Sequence, residues 1–152
     1  MSRRRQAREL AFRAAYQADV TGDPVEHCYR EILEDLEEAA DPVTRDFAGA
    51  LVSTLALHQP EIDAVVSRIA KNWSLSRMAA TDRSVIRLAA AELLYHSEVP
   101  VRVALDEAIE IAKQCPGLEY GAVVEVRPVA DVCSIKQRAE ELSAGQLAEA
   151  TA

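Results

Sequence analysis

The stretch "TDRSVIRLAAAELLYH", residues 81–96, decides the architecture. Val85, Ile86, Leu88, Ala89, Leu93 and Leu94 fall at helical steps. At about 100° per residue they cover most of the circumference rather than one stripe. A helix that is apolar on most sides needs neighbours on several of them, so this segment predicts the central helix of an assembly. No segment before residue 115 keeps the two-residue alternation of a strand for long, which makes the fold class all-α.

The rest of the chain extends this reading in both directions. Pro100 breaks the chain after the central segment, and a further helical pattern runs to about Gln114. Upstream, Asp23-Pro24, Asp41-Pro42 and Gln59-Pro60 each stand before a helical pattern. Proline is tolerated at a first helical position because its missing N–H would find no partner there, and Asp23 and Asp41 are suited to cap the free N–H groups. The spacing predicts a first helix with Ala7, Leu10, Ala11, Ala14, Ala15 and Ala18 on one stripe. A second carries Val25, Cys28, Tyr29, Ile32, Leu33 and Leu36. Phe47, Leu51, Leu55 and Ala56 follow, then a pattern begun at Pro60 with Ile62, Val65, Val66 and Ile69, and Trp73 in the connection after it. The acidic run "EILEDLEEAAD" reads as the solvated face of the second helix. Beyond Gln114, "CPGLEYGAVVEVRPVADV" reads as loop with a short strand, and "AEELSAGQLAEATA" as a flexible tail.

A chain of 152 residues with only five glycines suits one compact helical domain. Its charge is unevenly spread. The formal total is −8, yet residues 1–13 hold Arg3, Arg4, Arg5, Arg8 and Arg13 against Glu9 alone, which leaves −12 for the remainder. Such polarity hints at contact with a polyanion. No apolar run is long enough to cross a bilayer, and Arg13, Gln17 and Asp19 interrupt any signal-peptide core, so the expected compartment is the cytoplasm. Cys28, Cys115 and Cys133 are odd in number and far apart, which predicts free buried thiols. No phosphate loop, nucleophile elbow or metal-ligand spacing occurs, so no enzyme, cofactor or metal is expected. His58 with Glu61 and Glu92 with His96 have the wrong order or spacing for a bundle metal site.

Helical geometry groups Arg5, Arg8 and Phe12, places Arg4 beside Arg8, and continues the line to Tyr16, away from the alanine stripe. Arginine forks pair with phosphate oxygens, and an accessible tyrosine stacks on an unpaired base. The alternative at this point is a merely solvated terminus, with Tyr16 in the core.

Two blocks of the sequence resemble the NusB family of bacterial transcription antitermination factors. "RRRQARELAFRAAYQ" is similar to the family's opening. "WSLSRMAATDRSVIRLAAAELLYHSEVPVRVALDEAIEIAK" is similar to its second signature, with tryptophan, Asp-Arg, Ile-Arg-Leu, Glu-Leu-Leu and Val-Pro in the family's order. The resemblance spans about residues 3–113. It implies an all-α fold of two packed helix bundles and a non-enzymatic adaptor. The adaptor binds boxA-type single-stranded RNA together with NusE, a small-subunit ribosomal protein. It then joins elongating RNA polymerase in an antitermination complex, chiefly on ribosomal RNA operons. It implies RNA-binding roles for Arg3, Arg4, Arg5, Arg8 and Tyr16, and a NusE-facing surface at Asp82, Arg87 and Glu107. The family's Phe-Val-Asn-Gly motif is missing after Lys113, where "YGAVVEVRPVADV" stands. The expected organisation is therefore a NusB-like helical domain at 1–114 and a divergent segment with a flexible tail at 115–152. The alternative is a helical protein-interaction module or homodimer that covers its basic helix with the acidic body of a second copy.

Overall fold

A computed structural model describes residues 2–69 and 74–114. These form five α-helices and one 3-10 turn: α1 Arg3–Thr21, α2 Val25–Glu34, α3 Pro42–Ile69, the 3-10 turn Leu75–Arg77, α4 Ala80–Tyr95 and α5 Val101–Gln114. The described residues contain no strand, in keeping with the all-α expectation. The proposed strand after residue 115, the tail, Trp73, Cys115 and Cys133 lie outside the described residues.

The helix ends follow local chemistry, with two departures from expectation. Ser2 caps α1, its Oγ accepting the Arg5 N–H at 3.1 Å. Gly22 closes α1 at φ 79°, a left-handed conformation that glycine adopts without a Cβ penalty, and donates its N–H to the Ala18 carbonyl at 2.8 Å. Asp41 Oδ1 accepts the Val43 N–H at 2.8 Å, as its position before Pro42 predicts. Asp23 does not act this way. The residue before α2 is Pro24, with no side-chain cap, and the Asp23 N–H instead donates to Thr21 Oγ1 at 3.2 Å.

The second departure is larger. The helix expected to begin at Pro60 is the continuation of α3, which runs 28 residues with Pro60 inside it. Pro60 cannot donate to the Ala56 carbonyl, but both residues are exposed, so that carbonyl can turn to water. Burial of Leu51, Val52, Leu55, Ile62 and Val66 on either side, each at most 1% exposed, carries the helix through. At roughly 1.5–3 kcal/mol per buried side chain, this outweighs one lost hydrogen bond.

Helix α3 joins the two bundles. Its first half packs with α1 and α2, where the Tyr29 hydroxyl donates to the Arg45 carbonyl at 2.7 Å. Helix α4 lies along α3, from Arg87 on Asp63 to His96 on Thr54, and also packs on α5 and α1. Val85, Ile86, Leu88, Ala89, Ala90 and Ala91 of α4 are all buried, as a central helix requires, and a single apolar cluster runs through both bundles. Ile32 is buried and Leu33 and Leu36 are partly so, while Glu34, Asp35, Glu37 and Glu38 are exposed. Helix α2 ends at Glu34, so the acidic run is only in part a helix face. Cys28 is buried and free, as expected for that thiol. No helix among the described residues is long and apolar enough to cross a membrane.

Candidate nucleic-acid interface

The arginines of α1 fall into separate environments. Arg3 lies at the solvent-facing start of the helix, with its Nε 3.2 Å from Asp41 and 64% of its side chain exposed. Arg4 is exposed, and its guanidinium carbon lies 4.9 Å from the centre of the Phe47 ring. Arg5 is half-buried and makes a two-pronged contact with Glu107 of α5, Nε to Oε2 at 2.9 Å and Nη2 to Oε1 at 3.0 Å. This fork holds the Glu107 carboxyl below its ordinary range. Beside it, burial pushes the Glu9 carboxyl up.

Arg8 corrects the reading of the sequence. It does not share the exposed face; it is 2% exposed, and its Nε donates to both carboxylate oxygens of buried Glu92 at 3.0 Å. Its Nη2 also contacts Glu92 Oε1. The reason is angular. Arg8 lies only about 60° around the helix from Ala11, so the apolar stripe carries it to the interface with α4. A buried guanidinium requires a buried counter-charge, and Glu92 supplies it.

Tyr16 is 40% exposed and stacks on Phe12, with ring centres 6.4 Å apart and planes at 28°. The two rings, with Arg13, Gln17, Val20 and Thr81, line an open groove of about 500 Å³. An exposed tyrosine backed by a second ring can offer its face to an unpaired base.

The residues expected to face NusE are less free than their charge suggested. Arg87 is bound on two sides, Nε to Asp63 at 2.8 Å and Nη1 to Asp19 at 3.0 Å, and Glu107 is engaged by Arg5. Asp82 is half-buried in the first turn of α4, one of its oxygens has no hydrogen-bond partner, and burial pushes its carboxyl up. Arg83 holds Asp19 through its Nε at 3.0 Å and donates Nη1 to the carbonyls of Leu75 and Met78 at 2.8 and 3.1 Å. The Arg83 hydrogen bond, with the charges of Arg83 and Arg87 beside it, holds Asp19 below its ordinary range. Asp19, Phe47 and Arg83 read in the sequence as ordinary helix residues, and Glu92 there only as half of a mis-spaced metal pair, because the partner of each lies on another helix. Among the described residues no group of histidine, cysteine and carboxylate side chains could hold a metal ion.

Comparison with known proteins agrees with this architecture. A family model described as the NusB family matches residues 5–124. The transcription antitermination protein NusB of Elusimicrobium minutum is 42% identical over 115 residues, covering 75% of this chain and 81% of that protein. The T. maritima NusB structure superposes with a TM-score of 0.76 at 31% identity, covering 90% of this chain and 92% of the other. A structure of antitermination factors NusB and NusE in complex with dsRNA shares the fold, with a TM-score of 0.78 at 22% identity over 91% of this chain and 98% of that one. With the family match across most of its length and identity at this level, the chain belongs to the NusB family.

Proposed function

We propose that this protein is a transcription antitermination factor that binds boxA-type single-stranded RNA together with NusE and joins elongating RNA polymerase, chiefly on ribosomal RNA operons. It is a regulatory RNA-binding factor and not an enzyme, as its family membership dictates. The observation that carries the RNA reading is the outer start of α1, where Arg3 and Arg4 are exposed on the same helix as the stacked, exposed Tyr16. Phosphate contacts by arginine supply affinity, and base stacking on tyrosine adds a sequence-tolerant hold. Arg3, Arg4, Arg5 and Tyr16 are the proposed RNA contacts. Arg8 supports them from within the core.

The proposed NusE-facing surface includes Asp82, with Arg87 and Glu107 shaping it through their pairs with Asp19, Asp63 and Arg5. The structure of NusB and NusE with dsRNA, which shares this fold, supports a joint complex of this kind. A factor acting on nascent RNA beside bacterial RNA polymerase works in the cytoplasm.

The test is a titration of boxA-type RNA and a scrambled control, with and without NusE. We expect preference for the boxA-type strand, strengthened by NusE. With three to four phosphate contacts, log K should fall against log salt with a slope of about −2 to −3. A flat salt response, or a stable dimer indifferent to RNA, would instead favour the interaction-module reading.

A further inference from the structure

Arg4 differs from its neighbours in what holds it. Arg3 meets Asp41, Arg5 meets Glu107 and Arg8 meets Glu92, each a carboxylate that takes up donors and cancels charge. Arg4 has no carboxylate at ion-pair distance among the described residues; its guanidinium lies over the Phe47 ring. An aromatic face attracts the cation through its quadrupole but accepts none of the in-plane N–H bonds. The charge and the fork of five donors therefore remain available to a phosphate.

The ring is itself held in place. Phe47 sits in the second turn of α3, half-buried, with the Arg8 guanidinium carbon 5.2 Å from its centre. The His96 ring approaches it edge-on from the end of α4, with centres 6.5 Å apart at 63°. His96 is tied in turn to Thr54 of α3, Nε2 to Oγ1 at 2.8 Å. Glu92 neutralises Arg8 from the other side, so two cations share one ring while only Arg4 stays exposed.

We infer that Phe47 is a positioning residue for RNA binding: its ring fixes the Arg4 guanidinium at the surface while leaving the hydrogen bonds of Arg4 to a phosphate of the strand. The inference rests on the RNA-binding reading above and deepens it. It assigns part of the RNA affinity to a residue that need not touch RNA.

The test is a double-mutant cycle on the full chain with Arg4→Ala, Phe47→Leu and the pair, plus Phe47→Tyr. It is read as affinity for boxA-type RNA with NusE present, at several salt concentrations. Phe47→Leu should weaken binding about 3- to 10-fold and lower the salt slope toward that of Arg4→Ala. It should add little in the Arg4→Ala background, and Phe47→Tyr, which keeps the ring, should bind like the wild type. Equal weakening by Phe47→Leu with and without Arg4, or no weakening at all, overturns the positioning role and leaves RNA binding standing. A wild-type chain that does not bind the RNA, or one indifferent to Arg4→Ala, overturns the role of the arginine helix and the inference with it.

Discussion

Arg8 of α1 and Glu92 of α4 form a two-pronged ion pair inside the protein, with the Arg8 side chain 3% and the Glu92 side chain 2% exposed. The pair clamps the arginine helix to the central helix from beneath. Its position explains how a helix with five arginines in or near its first three turns can lie flat on an apolar core. One arginine is consumed within, and the others stay near the rim.

Breaking that pair should be costly. Arg8→Ala or Glu92→Ala leaves a buried charge without its partner, with an expected loss of about 3–5 kcal/mol in urea denaturation. Replacing both together, as Arg8→Met with Glu92→Leu, should be less damaging than either single alanine change, because no orphan charge remains. A double variant as unstable as the sum of the two singles would show that packing, not charge pairing, sets the cost.

With Arg5 a proposed RNA contact, Glu107, which holds its fork, should compete with the strand for it. Glu107→Gln removes a negative charge beside the arginine face and frees part of the Arg5 fork. Measured without NusE, so that any role of Glu107 toward that partner does not intervene, RNA affinity should rise roughly 2- to 5-fold at low salt. The gain should fade as salt screens the charge. Unchanged affinity at low salt would mean that Arg5 stays with α5 when RNA binds.

Asp19 should make stability fall in acid. Its hydrogen bond with Arg83, reinforced by the charges of Arg83 and Arg87, lowers its pKa in the folded protein. The unfolded chain therefore takes up this proton at a higher pH than the folded one. The stabilisation is complete above the ordinary aspartate value of about 3.9 and is lost as pH falls through the depressed folded value. Asp19→Asn should lower the thermal midpoint at neutral pH and flatten its decline on the acid side. A variant with the same acid limb as the wild type would assign that limb to other carboxylates, Glu107 first among them.

Pro60 interrupts the hydrogen bonding of α3 on an exposed side of the helix. Pro60→Ala restores an N–H opposite the Ala56 carbonyl and should raise stability by about 1–3 kcal/mol in denaturant unfolding. RNA affinity should not change, because the site lies well along α3 from Phe47. A destabilised variant would show that the rest of α3 has adapted its course to the proline.

The helices and much of their order are legible in the sequence. The dense apolar cover of residues 81–96 announced a central helix, and the alanine stripe of α1 named the face that is buried. The basic character of the first turns was equally legible, because charge is written residue by residue. Proline misled at one place. Gln59-Pro60 carries the local signature of a helix start, and only burial on both sides of it, at Leu55 and Ile62, shows the helix continuing.

The partner of each charge follows only from the way the helices dock. Arg3, Arg4, Arg5 and Arg8 look alike in the sequence, yet one meets a loop aspartate, one an aromatic ring, one a half-buried glutamate and one a buried carboxylate. The partners of Arg5 and Arg8 lie 102 and 84 residues away. Helical periodicity is a local property, set by the 3.6-residue turn, and so it survives in the sequence. An ion pair between helices depends on how rigid elements dock, and docking is fixed by the summed packing of the shared core. The sequence supplied the cations; the fold chose which of them faces the solvent.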